Sequence, residues 1–221
     1  MGRPVAMAVF AHPDDAELAC FGTLAALREQ GYALCALSLT DGRNSNAEQS
    51  HLRPKEARMA AEIVGSELIM ENFEDGCLAP NREVFSRIEA HIRRVRPSIV
   101  LTHYPGDREH QDHQVVGRIT TTVAHRSSDI GLVLQGEPPV LVDSFTPQLY
   151  SDITDFMEPK LEAIGCYKSE AGKPFMSREL VMTRGKWWAH QAGAYSDGEK
   201  PRFYEAFVVT KAVLPLPRLS R

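Results

Sequence analysis

The sequence predicts an α/β fold, with a mostly parallel sheet covered by helices on both faces and a single domain over residues 1–221. Three observations predict it. Short apolar runs alternate with stretches of helical spacing, as in chains that build parallel sheets. Polar clusters follow the first and fourth apolar runs, where such sheets place their ligands. No repeat, linker or low-complexity stretch divides the 221 residues, a length that suits one core.

The elements follow in order. Val5 to Ala11 is apolar throughout, as expected of a strand buried on both faces. A helix is predicted over 17–30, stopped by Gly31. Residues 33–40 form the second apolar strand, and Asp41-Gly42 marks a turn. Residues 42–50 are polar and loop-like. A helix follows over 53–64, with Ala57, Ala60, Ala61 and Val64 on its packed face. A brief third strand is expected at 66–70. The next helix covers 84–95, with Val84, Ile88 and Ile92 on one stripe and Pro97 beyond its end. Residues 99–103 are the fourth strand, followed by a polar loop to His113 and a helix to about Ala124. The last third is less regular: strand-like pieces at 140–142 and 148–153, a helix from Pro159, another over 177–192, and a closing strand at 205–210.

Composition narrows the partners. The chain has 25 Lys+Arg against 29 Asp+Glu, a net charge of −4 with no long run of either sign. Nothing in that balance calls for nucleic acid or an anionic membrane. Cys20, Cys35, Cys77 and Cys166 form no C-x-x-C pair, so neither a zinc knuckle nor a redox motif is offered. The apolar stretch near the start is shorter than a signal peptide's core or the roughly 20 residues of a membrane span. A cytoplasmic protein with reduced thiols is expected.

The chemistry concentrates in two segments. After strand one stand Ala11-His12-Pro13-Asp14-Asp15-Ala16-Glu17, where a dinucleotide-binding fold would carry a glycine-rich turn. Three carboxylates within four residues repel one another unless a cation offsets them. His12 and Asp15, spaced i, i+3 at a strand-to-helix turn, can converge on one ion; Asp15 also suits a helix N-cap. After strand four stand His110-Gln111-Asp112-His113. A third ligand from here completes two histidines and a carboxylate with a position open to water, the pattern of catalytic zinc. Asp14, beside a ligand yet free of the metal, is the natural general base. Of His110 and His113, one can ligate while the other faces a developing oxyanion. Asp112 is close enough in sequence to hydrogen-bond such a histidine and raise its pKa.

These residues resemble the zinc-dependent N-acetylglucosamine deacetylases called LmbE-like or PIG-L-like. The likeness rests on residues 11–17, on Leu39-Thr-Asp-Gly42, on Arg53 and Glu56, and on His110-x-Asp112-His113; it returns weakly near Asp152 to Asp155, Lys160 and Glu205. The resemblance implies a Rossmann-like three-layer sandwich with zinc on His12, Asp15 and His113; Fe2+ or Co2+ suits the same donors. It implies Asp14 as general base, His110 as acid or oxyanion stabiliser, Asp112 tuning His110, and Arg53 holding sugar hydroxyls. The expected reaction removes the acetyl group from an N-acetylglucosamine-type amino sugar or its conjugate. The alternative is an amidase acting on a thiol-sugar conjugate or another small amide. Where many members carry His-Arg-Ser-Gln, this chain reads Tyr167-Lys168-Ser169-Glu170.

The partner is thus a small-molecule N-acetyl amino sugar, and a homo-oligomer is expected. Trp187, Trp188, His190 and Tyr195 are assigned to core or a subunit contact rather than a sugar platform. His103 and Tyr104 either edge the pocket or fill a turn. His51, His91 and His125 are assigned to the surface, and Arg43 to the loop.

Overall fold

The computed structural model describes residues 2–43, 49–194 and 200–214. Most of the predicted 42–50 loop and the Tyr195 position lie outside them. In chain order the elements are β1 (Val5–Phe10), α1 (Asp15–Glu29), β2 (Ala33–Thr40), α2 (Arg53–Val64), β3 (Glu67–Phe73), α3 (Arg82–Val95), β4 (Ile99–His103), α4 (Gln111–His125), β5 (Leu132–Gly136), β6 (Leu149–Asp152), α5 (Met157–Gly165), α6 (Arg178–Gln191) and β7 (Tyr204–Ala212).

The seven strands make one sheet in the order β3-β2-β1-β4-β5-β7-β6. The first five are mutually parallel, and β7 runs antiparallel between β5 and β6. The apolar continuity of β1 has a direct cause: alternate residues face opposite cores. Ala6, Ala8 and Phe10 pack with Phe21 and Leu24 of α1, Ala57 and Ala60 of α2, and Leu161 and Ile164 of α5. Met7 and Val9 pack with Val84, Ile88 and Ile92 of α3 and with Val116, Ile119 and Val123 of α4. Truncating one of these large side chains to Ala costs about 2–5 kcal/mol.

From β1 the chain steps outward to β2 and β3, then returns to β4 on the other side of β1. The strand order therefore reverses between β1 and β4, and the crevice at their carboxyl ends is the expected ligand position. Both polar clusters of the sequence open into it.

The last third departs from expectation. Residues 140–142 form no strand; Pro138 and Pro139 precede them and cannot donate to a ladder. Val140 and Leu141 are exposed there. The strand that pairs with β4 is instead Leu132–Gly136, whose short Leu-Val-Leu run gave little periodicity to read. Arg184 of α6 ties down the bend at 137–139, binding the Glu137 carboxylate and the carbonyls of Pro138 and Pro139. His91, expected on the surface, is partly buried and pairs with Glu71 at 2.6 Å.

The faint likeness at Lys160 and Glu205 has a structural basis. Their 2.6 Å ion pair is buried against the middle of α1. Glu205 accepts the backbone N–H groups of Gly22 and Thr23 and the Thr23 hydroxyl, while Lys160 donates to the Leu18 carbonyl. Both charges are thus satisfied by hydrogen bonds, as a buried pair requires. The pair pins α1, whose first turn carries the site, to α5 and β7.

Candidate metal centre

The turn leaving β1 is built around Asp14. Its φ of 95° lies in the left-handed region, which costs a non-glycine residue energy and persists only when neighbours enforce it. The twist turns Asp15 back rather than onto the helix end. The Asp15 carboxylate does not cap α1; it accepts the backbone N–H of His12 at 2.7 Å. Its oxygens then face Nδ1 of His12 at 3.2 Å and Nε2 of His113 at 3.3 Å.

The other half comes from the start of α4. His110 is the N-cap, and its Nδ1 accepts the Asp112 N–H at 3.3 Å. His113, one turn further, points at β1: its Nε2 lies 3.1 Å from Nδ1 of His12. Gly117 lets α4 lie this close, because a Cβ there would sit 2.5 Å from the His103 carbonyl oxygen.

His12, Asp15 and His113 thus meet pairwise at 3.1–3.3 Å. Four zinc bonds of about 2.0–2.1 Å in a tetrahedron set ligand atoms roughly 3.3 Å apart, close to these spacings, with His12 and His113 facing different oxygens of Asp15. Three overlapping donor sets lie here: His12, His110 and His113; His12, Asp75, His110 and Asp112; and Asp15, His103 and His113.

Three more residues adjoin the centre: Asp107 and Asp75, which were not foreseen, and His103, which was expected either to edge the pocket or to fill a turn. Asp107 pairs with Nδ1 of His113 at 2.6 Å, which turns Nε2 of His113 toward His12 and Asp15. Asp75 lies 2.9 Å from Nε2 of His12. His103, at the end of β4, accepts the Ala11 N–H through Nε2, sits 3.2 Å from Asp15 and stacks on His113 with ring centroids 4.0 Å apart. Asp107 and Asp75 lie in loops with no periodic signal; Asp107 stands between His103 and His110 in the sequence, whereas nothing near Asp75 points to it.

The electrostatics follow from burial. The Asp14 carboxyl is pushed up to about 7, chiefly by desolvation, against the pull of Arg53. Burial works against a charged His113, but Asp15 and the Asp107 hydrogen bond overcome it and raise its pKa to about 9. Burial lowers His103 to about 4, with the His113 charge acting the same way. His110 is lowered by burial and by its neighbours His12 and His113. Asp112 reaches the His110 ring through its backbone N–H rather than its carboxylate, whose charge still acts to raise the His110 pKa. Its carboxylate accepts the backbone N–H groups of Gly76 and Leu78 and faces Nε2 of His12 at 3.2 Å.

A cavity of about 280 Å³ opens over these residues, walled also by Arg53, Pro139, Lys173 and Phe175. Arg53 is 3% exposed, and its guanidinium binds Asp14 and Glu170. Glu56 accepts the N–H and hydroxyl of Ser169, which fastens the segment 168–170 against α2. Trp188 is core, packed with Val142, Phe145 and Ala206, whereas Trp187 is 52% exposed. Tyr104 donates to the Ser144 carbonyl and meets Phe145 edge-on.

Residues 7–124 match the family described as PIG-L, GlcNAc-PI de-N-acetylase. The chain belongs to the PIG-L family. The match runs from β1 to the end of α4 and therefore contains both halves of the centre. A probable N-acetyl-alpha-D-glucosaminyl L-malate deacetylase 2 of Bacillus cereus is 30% identical over 186 residues, covering 74% of this chain and 82% of its own length. A 4-oxalmesaconate hydratase of Pseudomonas putida is 26% identical over 192 residues, covering 73% and 72%. The crystal structure of a conserved protein from Thermus thermophilus superposes with a TM-score of 0.80 at 26% identity, covering 98% of this chain and 99% of the other. PIG-L relatives thus include more than one named reaction. Among the described residues, no helix is long and apolar enough to cross a membrane.

Proposed function

We propose that this chain is a zinc-dependent hydrolase that removes the N-acetyl group from an N-acetylglucosamine-type amino sugar or its conjugate. The observation that carries the reading is the meeting of His12, Asp15 and His113 beside Asp14 in the crevice between β1 and β4. The Bacillus cereus relative, named for deacetylation of a glucosaminyl compound, supports the substrate class.

His12, Asp15 and His113 would hold the ion. Zinc bound there supplies a Lewis acid, which lowers the pKa of water to roughly 7 and offsets charge on a carbonyl oxygen. Asp14 takes the proton of the attacking water; its elevated pKa suits a base that must also give the proton up. His110 accepts the Asp112 N–H at Nδ1, so its neutral ring carries the proton on Nε2. That N–H is the donor for the oxyanion. Acetate and a free amine are the products. Asp112 serves by holding the 76–78 backbone and the far nitrogen of His12.

Replacing Asp14 by Asn tests the assignment: turnover is lost while the metal stays bound. Loss of the metal in that variant contradicts a base free of it. The hydratase relative supports a second reading, in which the same site adds water to an unsaturated acid. That reading predicts no acetate from any N-acetyl sugar. The amidase alternative predicts cleavage of amide conjugates in place of N-acetyl sugars. Cytoplasmic location, self-association and the single-domain count over residues 1–221 belong to this proposal as well.

A further inference from the structure

His103 closes β4, with its side chain 6% exposed. The ladder between β1 and β4 ends with Val9 opposite Thr102. Beyond it, the Ala11 N–H donates to Nε2 of the His103 ring at 3.0 Å, so a side chain takes over where strand pairing stops. From the opposite side, the N–H and hydroxyl of Thr40 donate to the Ala11 carbonyl at 2.9 and 3.0 Å. The residue directly before His12 is therefore held from both neighbouring strands.

The same ring also faces α4. The Phe10 ring meets it edge-on, with centroids 4.7 Å apart and planes at 73°. The His113 ring lies on it almost parallel, 4.0 Å away at 11°. Gly117, about one turn beyond His113, leaves room for the His103 carbonyl and lets α4 press the two rings together. Asp107 holds one edge of the His113 ring and His103 covers its face, so the ring plane is held from two directions. Nε2 of His103 also lies 3.2 Å from Oδ2 of Asp15. Because that nitrogen accepts from a backbone N–H, the neutral ring carries its proton on Nδ1.

We propose that His103 is a positioning residue for the metal centre: its Nε2 fixes the backbone that carries His12, and its ring face sets the plane of His113. The two histidine donors come from different elements, one just after β1 and one in α4, and His103 of β4 reaches both. A histidine that only filled the turn after β4 would need neither contact. The proposal rests on the metal reading of the site and not on the identity of the substrate. Partners that orient a metal's ligands typically carry about 10–100-fold in metal affinity, and His103 acts on two of them.

The test uses the full chain and zinc alone. Zinc affinity, by competition with a chelator, and the unfolding midpoint of the zinc-free chain are measured for the parent and three variants. His103→Phe keeps a ring against His113 and cannot accept the Ala11 N–H. His103→Gln keeps an acceptor and removes the ring. Each is expected to weaken zinc binding about 10-fold, and His103→Leu, which lacks both contacts, about 100-fold. Unchanged zinc affinity, with only the unfolding midpoint lowered, overturns the proposal and leaves His103 a core residue. In the parent itself, long-range proton–nitrogen NMR of the zinc-free chain is expected to show Nδ1 of His103 protonated and Nε2 bare. A proton on Nε2 removes the bond from Ala11 and overturns the proposal even if every variant fails to fold. A parent with the expected tautomer that binds no zinc overturns the metal reading itself, and the role of His103 falls with it.

Discussion

Nδ1 of His113 and Oδ2 of Asp107 lie 2.6 Å apart, with Asp107 in the loop before α4 and His113 in its first turn. The bond settles which nitrogen of His113 faces the site. It also aims the ring at His12 and Asp15. Such carboxylate–histidine pairs typically carry 10–100-fold in metal affinity. Asp107→Asn is therefore expected to weaken zinc binding by about that factor, measured by competition with a chelator. Unchanged affinity would make Asp107 a loop-folding residue only.

The Lys160–Glu205 pair should matter to stability rather than chemistry. Removing one partner of a buried pair leaves the other uncompensated, at about 3–5 kcal/mol. Glu205→Ala also strips the acceptor from Gly22, Thr23 and the Thr23 hydroxyl. Denaturant unfolding is expected to show a loss of that size. A loss within about 0.5 kcal/mol, ordinary for a surface change, contradicts the account.

Glu17 gives a pH signature. Its residue is partly exposed, but burial around the carboxyl lifts its pKa from 4.5 to about 7, with the Asp14 charge adding to the rise. Between those values the folded chain holds a proton that the unfolded chain has released. Stability therefore falls as pH rises through this window and levels off above about 7. Glu17→Gln should remove that slope. Parallel curves of unfolding free energy against pH for the two proteins would refute it.

Close packing at Gly117 predicts a backbone effect. A Cβ 2.5 Å from the His103 carbonyl cannot be accommodated by a side-chain rotation, since the neighbour is main chain. Gly117→Ala should destabilise by about 1–3 kcal/mol and move α4, carrying His113 with it. The readout is a joint loss of melting temperature and zinc affinity. An unaffected protein would mean that α4 and β4 can separate freely.

Much of this was legible in the residues. The first four strands and the helices between them have long apolar runs or clear helical stripes, and the structure places them nearly as read. The segments His12 to Glu17 and His110 to His113 stood out because histidines and carboxylates at two strand ends have few other reasons to coincide, while the choice of His113 over His110 as a ligand came only from the family resemblance. β5 escaped because five residues ending in Gln-Gly hold too little pattern, while two prolines hid the irregularity of 138–142. Asp107 and Asp75 escaped because a loop carboxylate looks the same whether it faces solvent or a histidine. The contacts of Arg53 join residues 14, 42, 53 and 170, and only the folded sheet brings them together.

Metal content and acetate release on one preparation test the central claim most directly, with N-acetylglucosamine and its simple glycosides as substrates. The account predicts roughly one zinc per chain and a release of acetate that a chelator abolishes. A metal-free protein that does not rebind zinc would contradict it.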